Sequence, residues 1–225
     1  MLNEIDYPGK LIIVEGIDGS GKSTQISLMA DAIRKANKYQ AVLLTREPTW
    51  KASELRKKIV GDNDAFSDGY QIAKLLVEDR KQHTHDLIVP SLNQKVLVAT
   101  DRYALSTCAY QPVQGVPLME LIEMHEKAQT ITPDLTFFVH VSREEADRRK
   151  IKRGEKLEKY EKDILFIDKL ISQYLIVADL SNTDERIRKV VGNVCIINGE
   201  QSFEKVHQSI SDIVLPFYKN WLKTS

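Results

Sequence analysis

One stretch of the sequence has the residue types and the spacing needed to hold the phosphates of a nucleotide. Residues 15–24 read EGIDGSGKST and contain the pattern G-x-x-x-x-G-K-S. The glycines let backbone N–H groups turn toward phosphate oxygens, and the positive end of a following helix attracts the same anion. In this pattern the lysine reaches the β- and γ-phosphates, and the serine hydroxyl binds Mg²⁺. We therefore predict a nucleotide site at Gly16, Ile17, Asp18, Gly19, Ser20, Gly21, Lys22, Ser23 and Thr24, with Lys22 catalytic and Ser23 a metal ligand.

Two arginines and an aspartate follow later apolar runs of the chain. Arg46 lies in TREP, and Asp101 and Arg102 begin DRY. One such arginine alone is more often a surface cation at a strand–loop junction. Two of them beside a phosphate-binding loop favour phosphate binding, because guanidinium groups grip phosphate oxygens through paired hydrogen bonds. Asp101 is predicted to be a Mg²⁺ partner, and the alternative is a cap for the helix that follows.

Five short apolar runs must position these residues. They are residues 10–15, 40–45, 95–100, 135–141 and 193–198. Near-continuous apolar strands of this length are typical of a parallel sheet covered on both faces. Because the segments between them have helical spacing, the sequence predicts an α/β fold with a doubly wound sheet and ligands at the carboxyl ends of the strands. The phosphate-binding pattern lies between the first run and a helical segment, which is the context this motif requires.

The helical segments give three specific expectations. An apolar stripe on the helix after the first strand is predicted from Leu28, Met29, Ala32 and Ile33. A later helix through residues 72–83 should end near Pro90, because proline has no N–H to donate. Residues 160–178 and 203–222 predict two further long helices.

Composition excludes several classes of protein. Lys plus Arg and Asp plus Glu both number 32, a balance that argues against a general nucleic-acid binder. The start of the chain lacks the pattern of a signal peptide, and no apolar run approaches the ~20 residues that span a bilayer. Cys108 and Cys195 fit neither a metal spacing nor a disulfide framework, and His83 and His85 are interpreted as solvated side chains. We expect a soluble, cytoplasmic protein with a single domain over residues 1–225 and no membrane or nucleic-acid partner.

Segments outside the loop decide which class of phosphate-binding protein this is. The base-reading N-K-x-D segment of a GTPase does not occur in the sequence. The segments that do occur, in order, are TREP at 45–48, LLVEDRKQH at 75–83, DRYALSTCAYQ at 101–111, PDLTFFV at 133–139, RGEKLEKYE at 153–161 and INGEQSFEKVHQSI at 197–210. Together with the phosphate-binding loop, they resemble the thymidylate kinase family over nearly the whole chain.

This resemblance implies a P-loop nucleoside monophosphate kinase fold with a five-stranded parallel sheet and a small lid. It also implies ATP and Mg²⁺ as cofactors, a homodimer, and the phosphorylation of dTMP to dTDP in nucleotide biosynthesis. Transfer between phosphates needs alignment and charge neutralisation rather than a general base, since the acceptor phosphate has a second pKa of about 6.

On the phosphate side, the resemblance implies that Asp18 contacts the 3′-hydroxyl of the acceptor sugar and takes part in catalysis. Arg46 and Arg102 would bind the acceptor phosphate, and Arg102 would also be catalytic.

A catalytic arginine is expected from a lid. Some family members carry this arginine inside the phosphate-binding loop, at the position of Gly19, and this chain does not. In such members the resemblance implies a lid arginine that closes over ATP. The lid is expected at residues 143–162, with Arg153 as the first candidate and Arg149 as the second.

On the base side, the resemblance implies contacts from the helices before and after DRY. Arg80 would reach the O4 edge of the pyrimidine, and Tyr110 would crowd the 2′ position and favour deoxyribose. Simple core packing is the alternative for Tyr110. The remaining residues expected near the acceptor nucleoside are Leu76, Ser106, Thr107 and Gln111.

Three departures from the family pattern bear on the base, and one is His140, which stands where the family often has an aspartate in the fourth strand. Leu76 stands where the family usually has a phenylalanine that stacks on thymine, so aliphatic contact or an aromatic from elsewhere would replace the stacking. Thr49 and Trp50 replace the usual Gly-Gly after TREP, where Trp50 would fill the gap or pack on a helix that starts near Ser53. The alternatives are therefore a kinase for another pyrimidine monophosphate such as dUMP, or a non-catalytic nucleotide-binding protein.

Overall fold

The structure is a computed structural model, and it describes residues 6–61, 66, 68–154 and 163–224. Its strands are β1 (Lys10–Glu15), β2 (Val42–Arg46), β3 (Leu97–Asp101), β4 (Leu135–His140) and β5 (Val194–Asn198). They form one parallel sheet in the order β2-β3-β1-β4-β5. The predicted α/β fold with a parallel sheet is confirmed, and the predicted strand bounds shift by no more than two residues.

Helices connect the strands. They are α1 (Lys22–Ala36), α2 (Ser53–Gly61), α3 (Gly69–His83), α4 (Val89–Asn93), α5 (Ala104–Val113), α6 (Leu118–Lys127), α7 (Arg143–Lys152), α8 (Ile164–Thr183), α9 (Glu185–Val191) and α10 (Phe203–Thr224). The two long helices predicted from the C-terminal third of the sequence are confirmed as α8 and α10. The predicted start of the first, at residue 160, lies outside the described residues.

The sheet separates two apolar layers. Leu11 and Ile13 of β1 point to one face and Ile12 and Val14 to the other, and all four are fully buried. The first layer packs under α3, α5, α6, α8 and α9, while α1 and α10 cover the second. A strand that is buried on both faces cannot alternate apolar and polar residues, which explains the continuous apolar run LIIV at residues 11–14.

The predicted stripe on α1 was wrong in two of its four members. The buried apolar residues of this helix are Ile26, Met29, Ala30 and Ile33. This is the i, i+3, i+4, i+7 spacing of a single face, whereas Leu28 and Ala32 lie at the edge of that face and are half-buried.

The prediction that a helix ends near Pro90 was also wrong. A π-helical turn at Thr84–Ile88 follows α3, and the chain continues through Pro90 as α4 to Asn93. In the π turn, the N–H of Val89 bonds to the carbonyl oxygen of Thr84, five residues earlier. The π turn changes the hydrogen-bond register just before Pro90 and so places this proline in the first turn of α4. Backbone N–H groups of a first turn have no partner within the helix, so the N–H that proline lacks is not missed there.

The strand register brings the functional segments to one edge of the sheet. Arg46 at the end of β2 pairs with Asp101 at the end of β3, and Asp101 pairs with Val14 of β1. The next residue, Glu15, leads into the phosphate-binding loop. Three sequence-distant segments therefore emerge side by side at the carboxyl ends of the strands.

Two further expectations concern the chain as a whole. Among the described residues, no helix is both long and apolar enough to cross a membrane. Cys108 is buried, Cys195 is half-buried, and both are free thiols, as the spacing predicted.

Candidate active site

A cleft of about 1610 Å³ opens at the carboxyl ends of β1, β2 and β3. Its wall includes residues from each segment predicted to bind phosphates, namely Asp18, Lys22, Ser23, Arg46, Asp101, Arg102 and Arg153. The structure therefore brings together the phosphate-side residues that the sequence identified separately.

The phosphate-binding loop owes its shape to glycines in the left-handed region. Gly16 has φ 150°, and a Cβ there would lie 2.7 Å from the carbonyl oxygen of Val139 and 2.6 Å from Ser20 Oγ. A side chain at this position would push the loop away from β4. Ser20 Oγ is buried and, among the described residues, has no hydrogen-bond partner. A buried hydroxyl without a partner inside an anion-binding loop fits a phosphate oxygen as its partner.

Gly19 explains why the loop carries no arginine. Its φ is 90°, and a Cβ there would lie 2.6 Å from the carbonyl oxygen of Ala146 in α7. The close approach of α7 leaves no space for a side chain at this position. The same helix ends beside Arg153, whose side chain lines the cleft from the α7 side.

A carboxylate links the two innermost cations of the cleft. Asp18 Oδ1 lies 2.6 Å from Arg102 Nη2 and 3.5 Å from Lys22 Nζ, and Lys22 also donates to the carbonyl oxygen of Ile17 at 2.9 Å. Burial opposes ionisation of Asp18, but Arg102 and Lys22 hold its pKa well below the usual range. Burial and the charge of Arg102 lower the pKa of Lys22. A single carboxylate, that of Asp18, thus balances the positive charge of Lys22 and Arg102.

Ser23 and Asp101 form a pair that fits a magnesium ion. Ser23 Oγ donates to Asp101 Oδ2 at 2.9 Å, and Arg46 Nη2 lies 3.7 Å from the same oxygen. Asp101 Oδ1 is buried and has no hydrogen-bond partner among the described residues. No cluster of three or more His, Cys, Asp or Glu side chains that could hold a metal occurs in the described part of the chain. These oxygens suit Mg²⁺, which takes few protein ligands and completes its shell with water and phosphate oxygens.

Arg102 is held by hydroxyl groups as well as by Asp18. Its Nη1 donates to Ser106 Oγ at 3.2 Å and to the phenol oxygen of Tyr174 at 3.3 Å. The guanidinium also lies over the ring of Tyr110, with 5.5 Å between its carbon and the ring centroid. Arg102 therefore has a fixed position at the cleft wall rather than a free solvent-exposed one.

Glu15, which the sequence reading did not single out, anchors this arrangement. Its carboxylate accepts hydrogen bonds from the backbone N–H groups of Tyr103 and Ser106, and from Ser106 Oγ at 2.6 Å. Burial raises the pKa of Glu15, and Arg102 together with these hydrogen bonds opposes the rise only in part. The carboxylate ties the end of β1 to the loop that carries Arg102.

Arg149 lies against the backbone of the phosphate-binding loop. It donates to the carbonyl oxygen of Ser20 at 3.2 Å, to that of Gly199 at 2.7 Å, and to Glu145 at 2.6 Å. These contacts join α7 to the loop and to the turn after β5. Of the predicted lid, the structure describes α7 and residues 153–154, and the remaining residues 155–162 lie outside the described part.

Arg80 belongs to a buried polar network between α3 and α5. It is 1% exposed and donates to Glu47 Oε2 at 2.8 Å and to Thr107 Oγ1 at 3.2 Å. Arg80 Nη1 also lies 3.4 Å from His125 Nε2, so this nitrogen must accept, and His125 Nδ1 donates to Thr130 Oγ1 at 3.0 Å. A buried cation requires such partners, and Glu47 supplies the compensating charge.

The other residues predicted near the base lie on α5 and α3. Gln111 is 1% exposed, its Nε2 donates to Gln114, and its Oε1 has no partner among the described residues. Leu76 is half-buried. The ring centroid of Tyr110 lies 6.1 Å from that of Phe166 and 6.3 Å from that of Tyr174. Two aromatic rings therefore lie against Tyr110.

Two sequence interpretations need correction. His83 is buried rather than solvated, because its Nδ1 donates to Glu47 at 3.0 Å and its Nε2 lies 2.9 Å from Thr45 Oγ1. His85 is exposed, as expected. Trp50 neither fills a gap nor packs on α2, since its ring is 80% exposed at the rim of the cleft. Its carbonyl oxygen accepts a hydrogen bond from Arg56, and Lys51 Nζ lies 6.0 Å from the centroid of its ring.

The missed residues left different signals in the sequence. Glu15 ends a buried strand, and Glu47 lies inside TREP next to Arg46, so both charges stood at strand ends. Tyr174 lies in a long helix among apolar residues and looks like ordinary core packing. Only the tertiary contact reveals its hydroxyl.

Comparisons with known proteins agree with the geometry. The family model for thymidylate kinase matches residues 14–210. A probable thymidylate kinase from Thermococcus gammatolerans is 34% identical over 214 residues, covering 92% of this chain and 96% of the relative. A thymidylate kinase from Prochlorococcus marinus (strain AS9601) is 32% identical, covering 94% and 98%. The crystal structure of thymidylate kinase from Ehrlichia chaffeensis has the same fold, with a TM-score of 0.68 at 24% identity and coverage of 92% and 98%.

We predict that acid destabilises the protein through His125. Burial and the charge of Arg80 lower the pKa of His125 well below its usual range, so the unfolded chain binds this proton more readily than the folded one. The contribution of neutral His125 to stability is therefore fully present above the pKa of histidine in the unfolded chain, about 6.5. It is lost as the pH falls below that value. Between pH 7.5 and 5.5 this histidine should lower the unfolding free energy by about 1 kcal/mol.

Urea unfolding of the wild type and of His125→Asn at these two pH values measures this loss. The decrease between pH 7.5 and 5.5 should be smaller in the variant. An equal decrease in both proteins would mean that His125 is not the group responsible.

Proposed function

The chain belongs to the thymidylate kinase family, and we propose that it transfers the γ-phosphoryl group of ATP to dTMP, producing dTDP. One observation supports this proposal most strongly. The phosphate-binding loop, which includes Lys22, lines the same cleft as Arg46, Asp101 and Arg102. Two nucleotides whose phosphates meet in the same place need this concentration of positive charge. The same geometry is not required of a protein that holds a single nucleotide without turnover.

In the proposed mechanism, the protein aligns two phosphates and neutralises charge as it develops. Lys22 binds the β- and γ-phosphates of ATP, and the backbone N–H groups of the loop bind the same chain. Arg153 lies at the cleft wall at the end of α7, where a second cation would contact the transferring group. No side chain has to remove a proton, because the acceptor phosphate is largely dianionic near neutral pH.

Ser23 and Asp101 are proposed to hold Mg²⁺ together with ATP. When bound, the ion neutralises charge on the β- and γ-phosphates. The buried Asp101 Oδ1 and the adjacent Ser23 hydroxyl are the chain's contribution to this site.

The acceptor phosphate is proposed to bind between Arg46 and Arg102. Arg46 is 73% exposed in the cleft and can turn toward a ligand, whereas Arg102 is fixed by its hydrogen bonds. Asp18 lies beside Arg102 and is proposed to accept a hydrogen bond from the 3′-hydroxyl of the acceptor sugar. Its strongly acidic character keeps it an acceptor at all physiological pH values.

The base is proposed to be read by a buried donor and a buried acceptor. Arg80 supplies N–H donors, and Gln111 Oε1 is an acceptor without a partner among the described residues. Thymine offers O4 as an acceptor and N3–H as a donor, whereas cytosine has an amino donor in place of O4. The pair therefore supports thymine or uracil over cytosine. Leu76, Ser106, Thr107 and Tyr110 complete the proposed acceptor site.

The remaining family properties are also proposals for this chain. We infer one kinase domain over residues 1–225, with residues 143–162 as the lid and Arg149 and Arg153 as its functional arginines. A homodimer and a cytoplasmic location follow from the family resemblance, and they stay predictions.

An ADP-release assay with ATP, Mg²⁺ and a panel of nucleoside monophosphates tests the activity. We expect the highest kcat/KM with dTMP, lower values with dUMP, and little turnover of dCMP, because cytosine would set its amino donor against Arg80. Lys22→Ala should lower kcat by about 100-fold or more, because it removes a charge on the transferring phosphate. Lys35→Ala, which removes an exposed lysine of the same helix, is the control.

A preference for another monophosphate would contradict dTMP as the substrate but would still support phosphoryl transfer from ATP to a nucleoside monophosphate. Absence of turnover with the whole panel would instead leave a nucleotide-binding protein without this activity.

Arg153→Ala tests the lid arginine. We expect kcat to fall by about 100-fold with little change in the KM for ATP, because a charge that acts in the transition state contributes little to ground-state binding. Arg148→Ala is the matched control, since Arg148 is an exposed arginine on α7 that pairs with Glu145 at 2.6 Å. Equal kcat values for Arg153→Ala and Arg148→Ala would remove Arg153 from the mechanism.

A further inference from the structure

The hydroxyl group of Tyr174 lies among charged groups, although its ring is part of the apolar core. Tyr174 on α8 is fully buried, and its ring stacks on Phe138 with centroids 4.7 Å apart and planes 9° apart. The phenol oxygen lies 3.3 Å from Arg102 Nη1, 2.9 Å from Ser106 Oγ and 3.4 Å from Glu15 Oε2. A phenylalanine would make the same stack, so the hydroxyl requires a separate explanation.

The direction of these hydrogen bonds follows from the chemistry of their partners. An arginine can only donate, and an ionised carboxylate can only accept. Ser106 Oγ donates to Glu15 at 2.6 Å, so the Tyr174 hydroxyl donates toward Ser106 Oγ at 2.9 Å and toward the same carboxylate oxygen at 3.4 Å. Both hydroxyls therefore turn an oxygen lone pair toward Arg102 Nη1. Glu15 acts on Arg102 through two neutral hydroxyl groups.

The backbone of Arg102 is fixed as firmly as its side chain. Arg102 has φ 71°, a left-handed conformation that is uncommon for a residue with a side chain. Its N–H bonds to the carbonyl oxygen of Val14 at 3.1 Å, and the next N–H, of Tyr103, bonds to Glu15 at 2.8 Å. With Asp18 on Nη2 and two hydroxyls on Nη1, the guanidinium plane has a single orientation.

We propose that Tyr174 is a positioning residue for the acceptor site: its hydroxyl, with Ser106 and Glu15, holds Arg102 in the orientation that binds the acceptor phosphate. This inference rests on the proposed function, in which Arg102 binds that phosphate. A guanidinium grips phosphate through two parallel N–H groups, so its affinity depends on the orientation of the plane. Tyr174 contacts no substrate atom in this account and acts only through Arg102.

Tyr174→Phe tests this role because it removes only the hydroxyl and keeps the stacked ring. We expect the KM for dTMP to rise roughly tenfold, the scale of one lost hydrogen bond to a charged group, while the KM for ATP changes less than twofold. The matched control is Tyr218→Phe. Tyr218 is also buried, packs its ring on Trp221 and bonds to Gln40 at 3.3 Å, but it lies in the layer of α10. The control should change neither KM.

A double-mutant comparison separates positioning from general structure. In an Arg102→Lys background, adding Tyr174→Phe should change the dissociation constant for dTMP, measured by calorimetry, less than twofold. The proposal would be overturned if Tyr174→Phe raised the dissociation constant for dTMP by the same factor in the Arg102→Lys background as in the wild type. Ser106→Ala removes the other hydroxyl on Nη1. It should weaken dTMP binding in the wild type but change it less than twofold in the Arg102→Lys background, which keeps the test open if Tyr174→Phe does not fold.

The outcomes also distinguish this inference from the proposed function. An active wild type with an unchanged KM for dTMP in Tyr174→Phe overturns the inference alone. A wild type that neither phosphorylates nor binds dTMP overturns the proposed function, and the inference with it.

Discussion

Repulsion between cations is the constraint on which this structure depends. Lys22, Arg46 and Arg102 converge on one cleft because phosphates require them, yet without phosphates they would repel one another. Carboxylates on the same edge of the sheet solve this problem: Asp18 bridges two of the cations, and Asp101 lies beside the third. The direction of the pKa shifts reflects the balance, since that of Asp18 is held low and that of Lys22 is lowered by burial and Arg102. The cations are therefore in place before any phosphate binds, and the carboxylates keep their mutual repulsion from destabilising the fold.

The parallel sheet brings these cations and carboxylates together through the alignment of its strand ends. A single register aligns the ends of β1, β2 and β3, so that a loop, an arginine and an aspartate meet without any long connection. The base side uses a different principle, since Arg80 is buried and its charge is compensated by Glu47 rather than by solvent. A buried, fixed donor discriminates better between bases than a mobile one, because a mismatched base leaves it unpaired.

Local patterns predicted much of this from the sequence. EGIDGSGKST predicted the loop, and the apolar runs predicted the strands, because both depend on neighbouring residues. What could not be predicted depends on contacts between distant segments. Tyr174 lies 72 residues from Arg102, and nothing in α8 marks its hydroxyl as different from core packing. The burial of His83 could not be predicted, because its partners, Glu47 and Thr45, come from another strand end. The helix through Pro90 depended on a π turn, which no apolar spacing indicates.

In the proposed mechanism the acceptor phosphate binds between Arg46 and Arg102, facing the phosphate-binding loop. A crystal structure of the protein with dTMP, Mg²⁺ and a non-hydrolysable ATP analogue tests it most directly. Both guanidinium groups should lie within hydrogen-bond distance of the dTMP phosphate, and Ser23 and Asp101 should lie on the metal side of the analogue. A dTMP phosphate bound away from both arginines, or a triphosphate bound outside the loop, would contradict the account.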